Sequence, residues 1–260
     1  LLLVDRRQEP LERLCEALSA QFQVGAEPYV ADLCHRDEVE QLADRLEHMG
    51  DVELLVNNAG FGTVDYFFDT DPSYLVGMVD LHVMTPTLLT RALLPGMVER
   101  NRGNIINVSS LGAFFHSAGN VQYGSTKNYL AVFSQALQQE LVGTNVRVQA
   151  LCPGFVRTEF HSAESMKAFK LRASPAERLW MTPDQVVACS LSNLNSRQVL
   201  VVPGLGYRIA ARFAQMPFLQ PLMQWISRGP RSVPTSTVVV SVPPTETTSD
   251  QPVLSMAKRA

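Results

Sequence analysis

Ser110, Tyr123 and Lys127 are the residues whose types and spacing are best suited to chemistry. Ser110 closes the run Asn104-Ile105-Ile106-Asn107-Val108-Ser109-Ser110, which reads as a strand, and open α/β sheets bind ligands at the carboxyl ends of their strands. Tyr123 and Lys127 lie one helical turn apart in the next segment, so both project from one face. A free tyrosine titrates near pH ~10, too high for easy proton exchange at neutral pH. A neighbouring ammonium favours the phenolate and is expected to lower that value. The lysine can also donate to ribose hydroxyls, and the serine can hold a substrate oxygen. A carbonyl between Ser110 and Tyr123 would take a proton from Tyr123 as hydride arrives from a cofactor. A Tyr–Lys pair at helical spacing is common by itself; its place after a strand ending in Ser-Ser gives it weight.

A second motif stands upstream. Asn57-Asn58-Ala59-Gly60 follows the apolar run Leu54-Leu55-Val56. Small residues and a glycine let the backbone turn sharply and approach a ligand, while asparagine side chains bond to nearby backbone. Alone, the motif is an ordinary strand-to-loop turn.

The elements that must position these groups alternate. Strands are expected at Leu1 to Val4, Tyr29 to Ala31, Val52 to Val56, Asn104 to Val108, Val146 to Leu151 and Val199 to Val202. Helices are expected over Pro10 to Phe22, Arg36 to Met49 (closed by Gly50), Pro72 to Arg100, Val121 to Leu141 and Pro183 to Leu194. Pro86 and Pro95 are possible kinks or breaks in the long third helix. Phe155 to Trp180 is less regular. This alternation predicts an α/β fold, a Rossmann-like doubly wound parallel sheet with helices on both faces. The domain spans residues 1–206, followed by an apolar helical extension over 207–228. A Pro/Ser/Thr-rich tail expected to be disordered occupies 229–260.

Bulk composition narrows the function. The 260 residues are 46% hydrophobic and 18% charged, with formal net charge −3. Nothing in that balance suggests nucleic acid or an anionic membrane as partner. Four cysteines are scattered without a C-x-x-C pair or a histidine at zinc spacing, so no metal site is expected and the thiols suit a reducing cytoplasm. No transmembrane run or signal peptide is recognised.

Taken together, Asn57-Asn58-Ala59-Gly60, Ser110, Tyr123 and Lys127, in this order and spacing, resemble the short-chain dehydrogenase/reductase family, from Leu1 to about Gly204. The resemblance implies an NAD(P)-dependent enzyme with Ser110, Tyr123 and Lys127 catalytic. It implies cofactor contacts at Asn58, Ala59 and Gly60, at Tyr123 and Lys127, and at Asp32 and Leu33 beside the adenine. Pro153, Gly154, Val156 and Thr158 fall in the segment that the family sets beside the nicotinamide. Val199 to Gly206 is more loosely similar to a bacterial branch of carbonyl and acyl-chain reductases.

Three departures qualify the match. The family opens with a strand and a Thr-Gly-x-x-x-Gly-x-Gly loop that receives the pyrophosphate, whereas Leu1 to Val4 matches its second strand. An N-terminally incomplete sequence is the simpler reading, and a chain truly starting here is expected to be inactive. Second, His82 stands where the family has a fourth catalytic residue, an asparagine; its imidazole is expected either to bend the helix less than that asparagine or to join the proton relay, with a structural role as the alternative. Third, Asp5 ends its strand where an acid binds the ribose 2′-OH, favouring NAD(H), while Arg6 and Arg7 beside it suit the 2′-phosphate of NADP(H). The expectation leans to NAD(H).

Phe160, Met166, Phe169, Leu171 and Trp180 favour an apolar carbonyl or alcohol substrate, such as an acyl-chain, steroid-like or aromatic compound; they serve equally as lid packing. The other histidines form no cluster in sequence. The resemblance implies a homodimer or homotetramer paired through the two long helices. The competing reading is a non-catalytic dinucleotide-binding or scaffold protein that keeps the fold.

Overall fold

Short buried runs rich in Leu, Ile and Val form parallel strands because each is followed by a helix that returns the chain to the same edge. The computed structural model describes residues 1–216 other than 64, 117, 159, 161–178 and 197. In chain order the first half holds β1 (Leu2–Asp5), α1 (Gln8–Phe22), β2 (Glu27–Val30), α2 (Arg36–Met49), β3 (Leu54–Asn57) and α3 (Pro72–Val79). A π-helical turn, Asp80–Met84, leads into α4 (Thr85–Glu99). The second half holds β4 (Gly103–Val108), a 3₁₀ turn (Leu111–Phe114), α5 (Val121–Glu140), β5 (Val146–Leu151), α6 (Pro183–Ser192), β6 (Leu200–Val201) and α7 (Leu205–Ala214). The Rossmann-like α/β expectation holds, with strand ends shifted by a few residues.

All strand pairs are parallel, in two sheets ordered β1-β2 and β3-β4-β5-β6. Both sheets share one core. Leu2, Val4 and Tyr29 pack against the cluster that holds Leu55, Ile105 and Val148 from the larger sheet with Leu89, Leu93 and Leu137 from α4 and α5. On the opposite face, α6 covers Ile106, Leu151 and Val201 with Val186. Alternation along β3 is clear: Leu55 and Asn57 are buried, while Leu54 and Val56 stay 40% and 48% exposed.

Local sequence explains the helix ends. Val39, Leu42 and Leu46 form the buried stripe of α2, and Gly50 at φ 72° ends it in the left-handed region. Thr182 and Gln185 form a reciprocal capping box on α6. The long helix expected over Pro72 to Arg100 is α3, a π turn and α4 in succession. Pro86 lies in the first turn of α4, directly after the π turn Asp80–Met84 that carries His82, and Pro95 lies inside α4. The apolar extension begins as a regular helix but α7 ends at Ala214; residues 217–228 lie outside the described residues. The chain divides into two units, Leu1–Gly229 and Pro230–Ala260. The second unit, which the expected tail occupies, also lies outside the described residues, as do Met166, Phe169 and Leu171.

Candidate active site

A cleft of about 950 Å³ opens at the carboxyl ends of β3, β4 and β5. It gathers Ser110, Tyr123 and Lys127, with Asn58 and Gly60 on one side and the loop from Pro153 to Thr158 on the other. Ser110 caps the 3₁₀ turn, where its Oγ accepts from the N–H of Gly112 at 3.0 Å. The same side chain is near enough to Tyr123 to favour its phenolate.

Helix α5 is fixed to β4 by polar bonds buried in the core. The Ser109 hydroxyl donates to the backbone oxygen of Lys127 at 2.6 Å. Asn57 Nδ2 donates to Asn107 Oδ1 (2.8 Å), and Asn107 Nδ2 donates to Ser134 Oγ (2.9 Å). These bonds leave little freedom in how α5 presents Tyr123 and Lys127, because breaking one would strand a buried polar group at a cost of about 1–3 kcal/mol.

Lys127 is 4% exposed, and its Nζ donates to the backbone oxygen of Val108 at 2.9 Å. Burial lowers its ammonium to about 8, with Cys152 acting weakly the other way. Its Nζ lies 5.8 Å from the centre of the Tyr123 ring. The expected lowering of the tyrosine does not occur. Burial raises the Tyr123 phenol above its ordinary value, and the neighbouring Ser110 hydroxyl only partly offsets that. Desolvation of the phenolate dominates, and the Lys127 ammonium is committed to the Val108 backbone oxygen.

His82 lies beneath the cleft and does not line it; the residue is 1% exposed. Its Nε2 accepts from the Phe61 N–H at 3.2 Å, so Nδ1 carries the proton and donates to Thr126 Oγ1 at 2.9 Å. Thr126 in turn donates to the backbone oxygen of Tyr123 at 3.1 Å. Burial, and secondarily the Lys127 charge, lowers the imidazole to about 2. Gly60 is required above it: a Cβ there would sit 2.8 Å from His82 Nε2 and 3.3 Å from Lys127 Nζ.

The remaining expected cofactor residues split into two groups. Pro153, Gly154, Val156 and Thr158 line the cleft, and Ala59 lies in the exposed loop between Asn58 and Gly60. Asp5, Arg6, Asp32 and Leu33 do not line it; they collect at the carboxyl ends of β1 and β2. There Arg6 pairs with Asp32 at 3.3 Å, and Asp5 accepts from the backbone N–H of Arg7 (2.8 Å) and from its Nε (3.3 Å). Burial opposes ionisation of Asp5, but the bonds from Arg7 prevail and hold its carboxyl below the ordinary value. The Cys34 N–H, with Arg6, does the same for Asp32. Thr85 Oγ1 donates to the backbone oxygen of Leu33 at 2.7 Å, which links this corner to the start of α4.

A family profile described as short chain dehydrogenase matches residues 1–168. The chain belongs to the short chain dehydrogenase family. An NADP-dependent 3-hydroxy acid dehydrogenase of Escherichia coli is 35% identical over 202 residues, covering 72% of this chain and 75% of its own. One of the same name from Schizosaccharomyces pombe is 29% identical over 209 residues, covering 78% and 79%. Among solved structures, a short-chain dehydrogenase from Sphingobium yanoikuyae in complex with NADPH superposes with a TM-score of 0.74. It is 25% identical, over 91% of this chain and 89% of its own. As a short chain dehydrogenase, the chain is an oxidoreductase using a nicotinamide dinucleotide and a small-molecule substrate.

Two of the segments expected to bind such a cofactor face each other across the cleft. Glycine at position 60 keeps the loop close over Lys127, and the Pro153–Thr158 loop forms the opposite wall. Among the described residues no group of three or more His, Cys, Asp or Glu side chains could hold a metal ion, and no helix is long and apolar enough to cross a membrane. Sequence reasoning missed the supporting residues Asn107, Ser109, Thr126 and Tyr207. The signal for Asn107 was an amide directly after Ile105-Ile106, near the carboxyl end of its strand.

Proposed function

We propose that this chain reduces an apolar carbonyl compound, with Tyr123 as proton donor, Ser110 as the group that holds the carbonyl oxygen, and Lys127 as the cation beside them. The observation that carries the reading is that Ser110, Tyr123 and the buried Lys127 line one cleft, with Tyr123 one helical turn from Lys127 and the Lys127 Nζ 5.8 Å from the centre of its ring. The bound dinucleotide supplies or accepts the hydride. The phenol is protonated at neutral pH and so has a proton to give to an oxygen that gains negative charge, while its burial makes it a weaker acid than an ordinary tyrosine. Phe115, Phe160 and Leu111 line the cleft near these groups, and the Phe160 ring lies 5.8 Å from that of Tyr123, which favours a steroid-like, aromatic or acyl-chain substrate. His82, neutral and doubly bonded, acts as a positioning residue that joins the Asn57–Gly60 loop to α5.

Coenzyme choice follows from the charges after β1. Because Arg7 occupies the Asp5 carboxylate and Arg6 is 70% exposed on its side chain, the corner offers cations to a 2′-phosphate. NADP(H) is therefore favoured over the NAD(H) that Asp5 alone suggests, in keeping with relatives named NADP-dependent.

A further parallel strand and its glycine-rich phosphate loop belong between β1 and β3. Two features support this: the two sheets share a core without sharing a hydrogen-bonded edge, and Leu54 and Val56 line the cleft at 40% and 48% exposure. A homodimer or homotetramer through α4 and α5 fits the exposed Val98 and Val132, and a cytoplasmic setting fits four free thiols.

The experiment is to follow NADPH and NADH absorbance against a panel of aldehydes and ketones, with the chain alone and extended by any in-frame upstream codons. Ketone-dependent oxidation supports the reading. Coenzyme binding without turnover in both forms favours the scaffold alternative instead.

A further inference from the structure

The loop from Pro153 to Thr158 is a wall of the cleft, and its backbone is held from behind. Val156 bridges in parallel to Met181. The Met181 N–H donates to the Phe155 oxygen at 2.9 Å, and the Arg157 N–H donates to the Met181 oxygen at 3.0 Å. Tyr207, in the first turn of α7, reaches the same junction. Its hydroxyl accepts from the Phe155 N–H at 3.2 Å and donates to the Leu179 oxygen at 2.7 Å. The ring lies against Gly154 so closely that a Cβ there would fall 2.3–2.5 Å from three ring carbons. Tyr207 is 8% exposed and packs in a cluster with Ala150, Cys152, Val202 and Ala211.

We propose that Tyr207 is the positioning residue for the Pro153–Thr158 wall: its ring sets the depth of Gly154, and its hydroxyl ties Phe155 to Leu179. The inference rests on the oxidoreductase reading for its consequence, because that wall faces the coenzyme. Its geometric content stands apart from that reading. An ordinary core tyrosine would need one partner for its hydroxyl. This one spans two segments, 24 residues apart in sequence, at the positions flanking the Val156–Met181 bridge.

Tyr207→Phe keeps the ring over Gly154 and removes both hydroxyl bonds. A net hydrogen bond of ordinary strength corresponds to up to about tenfold in an equilibrium. Amide exchange at Phe155 is therefore expected to quicken about tenfold while amides of β4 and β5 keep their rates. NADPH titrated into the full chain should bind about threefold to tenfold more weakly, with KM rising and kcat held within about twofold. Unchanged exchange at Phe155 overturns the proposal, as does equal acceleration across all amides, which would report a loss of global stability. If the unaltered chain binds neither NADPH nor NADH, the functional reading fails separately, and exchange at Phe155 alone decides whether Tyr207 holds the wall.

Discussion

The buried imidazole of His82 should make this fold acid-sensitive in a way that a single substitution removes. In the unfolded chain a histidine takes up its proton near pH ~6.5; in the folded chain burial lowers that to about 2. Stability contributed by the neutral group is thus fully present above pH ~6.5 and falls as pH drops below it, since only the unfolded state binds the proton. One such proton changes stability by about 1.36 kcal/mol per pH unit. From pH ~7 to pH ~4.5 the loss is about 2.5 kcal/mol, and it changes little wherever the folded value lies below ~4. In a chain of this size that corresponds to about 5–10 °C in Tm. The assay is urea unfolding of wild type and His82→Asn at several pH values. Acid groups such as Asp5 and Asp32 contribute equally to both curves. His82→Asn should be the less stable at neutral pH, through weakened bonds to Phe61 and Thr126, and should close that gap at pH ~4.5. Parallel curves would refute the reasoning. Should the variant not fold, the proton resonances of His82 in the wild type should show no titration between pH ~4.5 and ~8; a midpoint near ~6.5 would refute it equally.

Three further outcomes follow from the site. Lys127, lowered to about 8, is charged at neutral pH and loses its proton as pH rises through that value, so the carbonyl-reduction rate should fall along a limb near pH 8 in a pH–rate profile. Gly60→Ala places a Cβ 2.8 Å from the stiff His82 ring and should destabilise the fold by about 1–3 kcal/mol in denaturant titration, with weaker coenzyme binding. Replacing Arg6 and Arg7 together by alanine should reduce the NADPH-over-NADH preference in kcat/KM by about tenfold or more, the worth of a charged hydrogen bond; an unchanged ratio would return the choice to Asp5.

Much of this was legible in the sequence because strand-end residues carry their positions with them. Ser110 after an apolar run, and Tyr123 four residues before Lys127 on a helix, could hardly fail to meet at one cleft once the strands were parallel. What the sequence withheld was the balance of opposing terms. The Tyr–Lys spacing suggests a lowered phenol, but only the structure reveals that the ammonium is bound to the Val108 oxygen and that burial prevails. The Asp5 acid likewise suggests NAD(H) until Arg7 is seen to occupy its carboxylate. Prolines at 86 and 95 drew attention from His82, where the helix widens into a π turn. Tyr207 was invisible because its partners are backbone groups of Phe155 and Leu179, distant in sequence and silent in residue type.

The most direct measurement is the rate of ketone-dependent NADPH oxidation by Tyr123→Phe beside the NADPH dissociation constant of the same variant. The phenyl ring keeps the contacts with Phe160 and Lys127 but has no proton to give. The account predicts turnover lowered by at least about 10²-fold, the usual worth of a positioned general acid, with coenzyme affinity within about threefold of wild type. Wild-type turnover in that variant would contradict it.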